Sequence, residues 1–181
     1  MSGTASRRLV HAGTALVLLV PLVTGWGVAR LLVVAVAAIA FVVDGVRVLQ
    51  PAVHRVLSGV LPLFRPEEER RLSGATWLWL GYALAVWLPA PGPLAGILVA
   101  AWADPAASLV GERFGVPGRK TLAGTLTAGA VACAVVLALG LPLAAVAAGS
   151  AVAAVVERWS GILDDNLLLP PAVALTVGYL A

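Results

Sequence analysis

The sequence predicts an all-α protein, a polytopic transmembrane bundle of about seven spans that forms one integral-membrane domain over residues 1–181. The first observation is composition. Of the 181 residues 61% are hydrophobic and 12% charged, and the mean hydropathy is +1.00. A soluble chain is near half apolar with about a quarter of its residues charged, so this one has too few charges to cover a water-facing surface. The second is the recurrence of apolar stretches at 9–26, 28–43, 76–88, 93–110, 122–139, 142–156 and 167–181. Backbone polar groups find no water in lipid, and none of these stretches alternates as barrel strands do, so each is expected to be helical. Several fall short of the ~20 residues that cross a hydrocarbon core, which implies local thinning or helices that stop at a wet cavity.

The third observation is the placement of the 12 basic residues. Arg7 and Arg8 precede the first stretch, and Arg47, Arg55, Arg65, Arg70 and Arg71 lie between the second and third. Arg113, Arg119 and Lys120 follow the fourth, and Arg158 follows the sixth. With the N-terminus inside, all of these share one side and Arg30 alone faces the other. The positive-inside rule then places the N-terminus in the cytoplasm and the C-terminus outside. The expected location is the cell membrane of a prokaryote, with the charged groups at the cytoplasmic face. The same bias accounts for the net charge of +3 without nucleic acid. The lone Cys133 excludes an intrachain disulfide.

A cleaved signal peptide is the alternative for the first stretch, with Arg7-Arg8 as its basic start and Gly27-Val28-Ala29 as a loose cleavage site. The polar stretch 44–73 carries Val53, Val56, Leu57 and Val60 at helical spacing, the pattern of an interfacial amphipathic helix. Gly124 and Ala128 have small-xxx-small spacing, which permits close helix contacts within the bundle or in a homodimer.

Charge in or beside an apolar span is costly, so ionisable residues there are functional candidates. Asp104 comes eleven residues after Pro93, about 16 Å of helix, short of a full crossing. Pro105 removes a helix donor, so a break is expected, with Asp104 and Pro105 as the N-cap and first residue of a half-helix. Asp104, Ser108 and Gly111 then share a face at i, i+4 and i+7, and a metal held by Asp104 competes with a purely structural cap. In 115–125, Gly115, Arg119, Lys120, Thr121, Gly124 and Thr125 combine glycines, cations and a helix start, the elements of a phosphate site. Arg119 separates the glycine from Lys120, so this is no P-loop. Arg113 adds a cation just before it. Arg7 and Arg8 stand four and three residues before His11, so a helix presents all three on one face. Asp164, Asp165 and Asn166 suit hard-cation ligation and helix capping equally, with Glu157 and Arg158 one segment earlier. Carboxylates for Mg²⁺ and cations for a polyphosphate together suit phosphoryl transfer.

Here the sequence resembles the CTP-dependent lipid-alcohol kinases: dolichol kinase, phytol kinase and CTP-dependent diacylglycerol kinase. Arg7-Arg8-Leu-Val-His11-Ala-Gly13 is similar to the family's opening Arg-Lys, His and Gly. Asp44 and Arg47 resemble its acidic residue and arginine after the second span, and Arg65-Pro66-Glu67 with Ser73-Gly74-Ala75-Thr76 its next motif. The run Asp104-Pro105-Ala106-Ala107-Ser108, with Gly111, Phe114 and Gly115, matches its most specific block. Lys120-Thr121-Leu122-Ala123-Gly124-Thr125 and Asp164-Asp165-Asn166-Leu167 resemble the last two motifs. Arg8 stands for the usual lysine, Ala103 for a glycine and Ala123 for a glutamate.

The resemblance covers nearly the whole chain in order. It implies CTP as co-substrate, Mg²⁺ as cofactor, and a lipid alcohol (polyprenol, phytol-like alcohol or diacylglycerol) as acceptor at the cytoplasmic face. Asp104 and Lys120 are the expected catalytic groups, with Asp104, Asp164 and Asp165 on the metal. Arg7, Arg8, His11, Ser108, Gly111, Arg113, Gly115, Arg119, Thr121, Gly124 and Thr125 are expected around the phosphates. The rivals are a CTP:lipid-phosphate cytidylyltransferase, whose C-terminal signature is missing here, and a small-molecule transporter, for which a broken helix and an intramembrane aspartate would serve.

Overall fold

A computed structural model describes residues 3–60, 64, 68–115, 120–160 and 163–181. The described residues form helices and no strand. Helix α1 (Gly3–Gly13) runs through a 3-10 stretch (Thr14–Leu18) into α2 (Leu19–Thr24). Gly25, at φ 79°, turns the chain into α3 (Trp26–Leu49). Then follow α4 (Pro51–Val60), α5 (Gly74–Ala85), α6 (Gly92–Phe114), α7 (Leu122–Ala138), α8 (Leu143–Trp159) and α9 (Asp165–Leu180). The amphipathic stretch after the second span is therefore helical, as α4. Among the described residues, three helical segments are long and apolar enough to cross a membrane: Ala5–Thr24, Trp26–Leu49 and Gly92–Phe114. Helices α7, α8 and α9, of 17, 17 and 16 residues, reach about 25 Å at 1.5 Å per residue.

The order of packing follows the chain. Helix α7 packs on both α6 and α8, while α9 returns between α5, α6 and α8. Glycines let α9 in. A Cβ on Gly96 would stand 2.8 Å from the Ala174 Cβ, and one on Gly81 would stand 3.0 Å from Pro170 Cγ. Small residues are the usual means by which membrane helices come into backbone contact. Ala95, Ala101, Ala103, Ala128, Ala132, Ala145 and Ala153 fill the rest of the interior, while Leu19, Leu22, Val23, Leu31 and Ile39 point outward. At the far end, Arg30 donates to the Val86 carbonyl at 2.9 Å and lies over Trp87. It thereby satisfies a helix C-terminus with a cation.

The expected break at Pro105 does not occur, and Asp104 is not an N-cap. Helix α6 continues through both residues. Proline removes one N–H, which leaves the Ala101 carbonyl without its intrahelical donor. Packing holds the helix together across that defect, because Ala101, Ala103 and Ala107 are buried against its neighbours. The adjacent carbonyl of Ala100 also has His11 Nε2 at 3.2 Å. Prolines persist in membrane helices where neighbours supply such contacts.

Asp44 and Arg47, one turn apart at the end of α3, tie the chain before α5 to the bundle. Arg47 is buried and its Nε meets Asp44 Oδ1 at 2.5 Å. Its other nitrogens donate to the Glu68 carbonyl at 2.9 Å and the Arg71 carbonyl at 2.6 Å. Phe64 lies beneath the guanidinium, 4.5 Å away. Asp44 Oδ2 accepts from the Ser73 N–H at 2.6 Å and from the Thr76 hydroxyl at 2.8 Å, while Ser73 caps α5. Removing one partner strands a buried charge, which costs about 3–5 kcal/mol. Arg47→Met should therefore lower thermal stability in detergent sharply and expose 68–73 to protease. The Asp44→Leu/Arg47→Met double variant should cost less than the two single losses added together; strict additivity would show that the pair is not coupled.

Candidate functional site

The charged residues of the sequence motifs meet at one end of the bundle. Helix alternation brings the C-terminal ends of α6 and α8 beside the starts of α7 and α9, with α1 lying along α6. Each of α7 and α9 begins with a side-chain cap. Thr121 accepts from the Gly124 N–H at 3.0 Å, and Asp164 from the Asn166 N–H at 3.0 Å. Such caps hold the first turns in place and so position Lys120 and Asp165.

Asp104, Glu157 and Asp165 form the centre. Each offers an oxygen, and these lie within 4.8 Å of one another. Lys120 reaches in from the start of α7, pairs with Asp165, and lies 3.5 Å from Glu157 and 3.1 Å from the Ser160 hydroxyl. Arg158 donates to the Lys120 carbonyl at 3.3 Å. From α1, His11 Nδ1 stands 3.6 Å from Asp104. Arg8 pairs with Glu112 at 2.5 Å and donates to Ser108 at 3.1 Å. The shared face of Arg8 and His11 is thus realised, and it lies against the shared face of Asp104 and Ser108. Arg7 borders the adjoining cavity.

Two expectations are corrected. Asp164 does not join the carboxylate group. Its Oδ1 is taken by the Asn166 backbone and side-chain nitrogens, and Glu157 from the last turn of α8 stands in its place. Two of the expected glycine N–H groups, those of Gly111 and Gly124, are also already engaged. Gly111 lies inside α6, where its N–H belongs to the helix ladder, and the Gly124 N–H is used by the Thr121 cap. Gly111, Gly115 and Gly124 instead make room for Thr121 and the α6–α7 crossing. A Cβ on Gly111 would stand 3.1 Å from Thr121 Oγ1, and one on Gly124 3.1 Å from the Ala107 carbonyl. Thr125 is buried and donates to the Thr121 carbonyl at 3.1 Å. Arg113 is exposed in the last turn of α6. Arg119 lies outside the described residues, as do Gly118 and the Arg65-Pro66-Glu67 motif.

Glu112 was not singled out, although it stands at i+8 from Asp104 and i+4 from Ser108 on the same helix face. Glu157 appeared only as a neighbour of the last motif; a carboxylate in the final turn of an apolar helix was the available signal.

Beside the carboxylates opens a cavity of about 280 Å³. Val10, Val43, Leu57, Leu78 and Trp79 give it apolar walls, and Asp104, His11 and Asn166 line it as well. Thr14 also lines it and hydrogen-bonds Tyr82 at 2.8 Å. Asp104 therefore belongs both to the carboxylate group and to the cavity.

Burial alone would lower the Lys120 ammonium, but Asp165, followed by Glu157 and Asp104, holds its pKa above the ordinary value. Burial pushes Asp165 upward, and Lys120 more than reverses this, so Asp165 titrates below its ordinary value. Burial and then the adjacent Asp165 charge raise Asp164.

Comparison with protein-family models, with curated proteins and with solved structures finds no match for this chain.

The Lys120–Asp165 pair sets a pH window. Its contribution to stability disappears as pH falls through the depressed Asp165 pKa and as pH rises through the raised Lys120 pKa. Lys120→Met should therefore unfold at lower temperature than the parent near neutrality, with the gap closing at alkaline pH as the raised Lys120 pKa is passed. Thermal unfolding in detergent across pH measures this; a gap of constant size would mean that the lysine acts through packing alone.

Proposed function

We propose that the protein is a membrane-embedded phosphotransferase that moves the γ-phosphate of a nucleoside triphosphate to a lipid alcohol at the cytoplasmic face. The observation that carries this reading is the double membership of Asp104, which borders both a polar group suited to a polyphosphate and an apolar cavity suited to a lipid. In this reading the seven apolar stretches cross the bilayer with the N-terminus inside, in keeping with the distribution of arginines. CTP as donor rests on the family resemblance alone.

The donor set fits Mg²⁺. Three carboxylates face one ammonium, all are hard oxygen donors, and a divalent cation would offset their mutual repulsion. The three carboxylate oxygens lie within 4.8 Å of one another, near enough that small rotamer changes would let them share one cation. Asp104, Glu157 and Asp165 would hold the ion, which when bound neutralises phosphate charge. Lys120 then directs its N–H groups at the phosphate chain, and Arg8 and Arg7 close it from α1. His11 orients Asp104. In the transfer the alcohol oxygen forms a bond to the γ-phosphorus while the bond to the β,γ-bridging oxygen breaks, so the diphosphate nucleotide leaves. The site works by position and electrostatics. Ala123, where the resembling family carries glutamate, leaves the base for the hydroxyl proton unassigned.

Two experiments test the reaction. With CTP labelled separately at its α and γ positions, γ-label should enter the lipid and CDP should be released. α-Label in the lipid, with diphosphate released, would identify a cytidylyltransferase, and neither label with any lipid alcohol or lipid phosphate would leave a transporter. Asp104→Asn, which preserves shape, should reduce turnover at least 100-fold, on the order of 3 kcal/mol, without lowering thermal stability; near-normal turnover sinks the assignment. Topology is checked separately. A cysteine at Arg113 in a Cys133→Ala background should resist impermeant thiol reagents in intact cells and react in inverted vesicles.

A further inference from the structure

The apolar segments Ala5–Thr24 and Trp26–Leu49 form a V. They meet at the Gly25 turn, where α2 packs on α3. Toward the other end they part: among the described residues α1 packs against α6, whereas α3 packs against α4 and α5. The cavity beside Asp104 occupies the space between the arms, with Val10 of α1 on one side and Ala40 and Val43 of α3 on the other. Val10 is 52% exposed and Val43 48%, so the cavity is open where these two stand. Deeper in, Asp44, Thr76 and Asn166 line it beside Leu78, and none of these four is more than 8% exposed. Beyond the last turn of α3 the cavity is bordered by Leu57, Phe64 and Glu68, and Arg47 holds the Phe64 ring and the Glu68 carbonyl.

We infer that the cavity fills sideways from the bilayer, through a portal between Val10 and Val43, and that its occupant is the end of one lipid chain. The portal rests on the membrane-embedded, lipid-binding reading above and adds the route by which the lipid arrives. Val10 and Val43 belong to the apolar stretches 9–26 and 28–43, so with those stretches in the bilayer the opening meets hydrocarbon. A polar depth behind an apolar mouth matches a lipid that enters polar end first, while its tail stays out of water throughout. Both signs of charge line the cavity, Arg7 with Asp44, Glu68 and Asp104, so the entering molecule is defined by its hydrocarbon and not by its charge. Size sets the number of chains. An apolar cavity of about 150 Å³ takes one benzene, so the 280 Å³ here takes the first carbons of one chain and not two acyl chains.

Photolabelling of the full chain in nanodiscs, without nucleotide, tests the route on the parent protein. The probe is farnesol carrying a diazirine at its distal end. It should label residues at or beside Val10 and Val43, and excess plain farnesol should suppress that labelling about tenfold by mass action. Labelling of Leu22 and Leu31, exposed on the outer faces of α2 and α3, reports bulk lipid and should not change. In a Cys133→Ala background, Val10→Cys and Val43→Cys joined by a long flexible bis-maleimide should slow farnesol association about tenfold or more relative to the same protein before linking. Labelling at Val10 and Val43 that excess farnesol leaves unchanged means bulk lipid only and overturns the portal. Suppressible labelling confined to α4 and Phe64 overturns it by placing entry on that side. An unchanged association rate after linking, or failure of the two cysteines to link, overturns it as well. Competition by dioleoylglycerol as strong as that by farnesol overturns the one-chain occupant. If no γ-label reaches lipid but the suppression and the slowing are observed, the kinase reading falls and the portal stands.

Discussion

Backbone contact between α6 and α9 decides where the charged groups of this protein meet. Gly92 and Gly96 face Ala174 and Pro170 so closely that a side chain at either would collide with α9. Small residues let the two backbones approach this closely, and the packing between them supplies the association. The geometry then propagates toward the site. Asp104 stands eight residues beyond Gly96, about 12 Å along the helix, and Asp165 opens α9 just before the Pro170 contact. Larger residues at Gly92 and Gly96 would separate the two axes and draw Asp104 away from Asp165. The α7–α8 hairpin, wrapped around the same pair, brings Lys120 and Glu157 to the remaining sides.

The two charged networks differ in how far they are closed. Asp44 and Arg47 neutralise each other, and both are used up on backbone groups of 68–73 and on the cap of α5. Their partners in these bonds are all parts of the protein, although Asp44 also borders the cavity. The Asp104, Glu157 and Asp165 group has one lysine among three carboxylates and lies next to a cavity. An arrangement rich in acceptors and poor in cations is unfavourable by itself and gains from a bound cation.

Much of this was readable along the chain. Apolar length and Ser, Thr and Asp caps mark the helices, and Asp104, Lys120 and Asp165 were each singled out before their meeting was known. The misses have physical causes. Pro105 breaks an isolated helix, yet α6 is held from several sides by neighbours the local sequence does not specify. Of the adjacent Asp164 and Asp165, one caps and one faces Lys120; the choice depends on how α9 packs against α8. Gly111 and Gly124 look like anion-binding glycines, but side-chain-free positions serve a helix crossing equally well. Asn166, read with Asp164 and Asp165 as a ligand or a cap, is held by the Asp164 cap.

The 3-10 stretch Thr14–Leu18 works as a rotary joint. An α-helix advances its side chains by 100° per residue and a 3-10 helix by 120°. Five residues of the tighter winding therefore turn everything downstream by about 100° relative to a continuous α-helix. Before the joint, Arg8 and His11 face α6. After it, Leu19, Leu22 and Val23 are exposed on the outside of the bundle. One segment thus serves two surroundings whose polar and greasy faces need not align, and mutational drift in the outer half is uncoupled from the direction in which the inner half points.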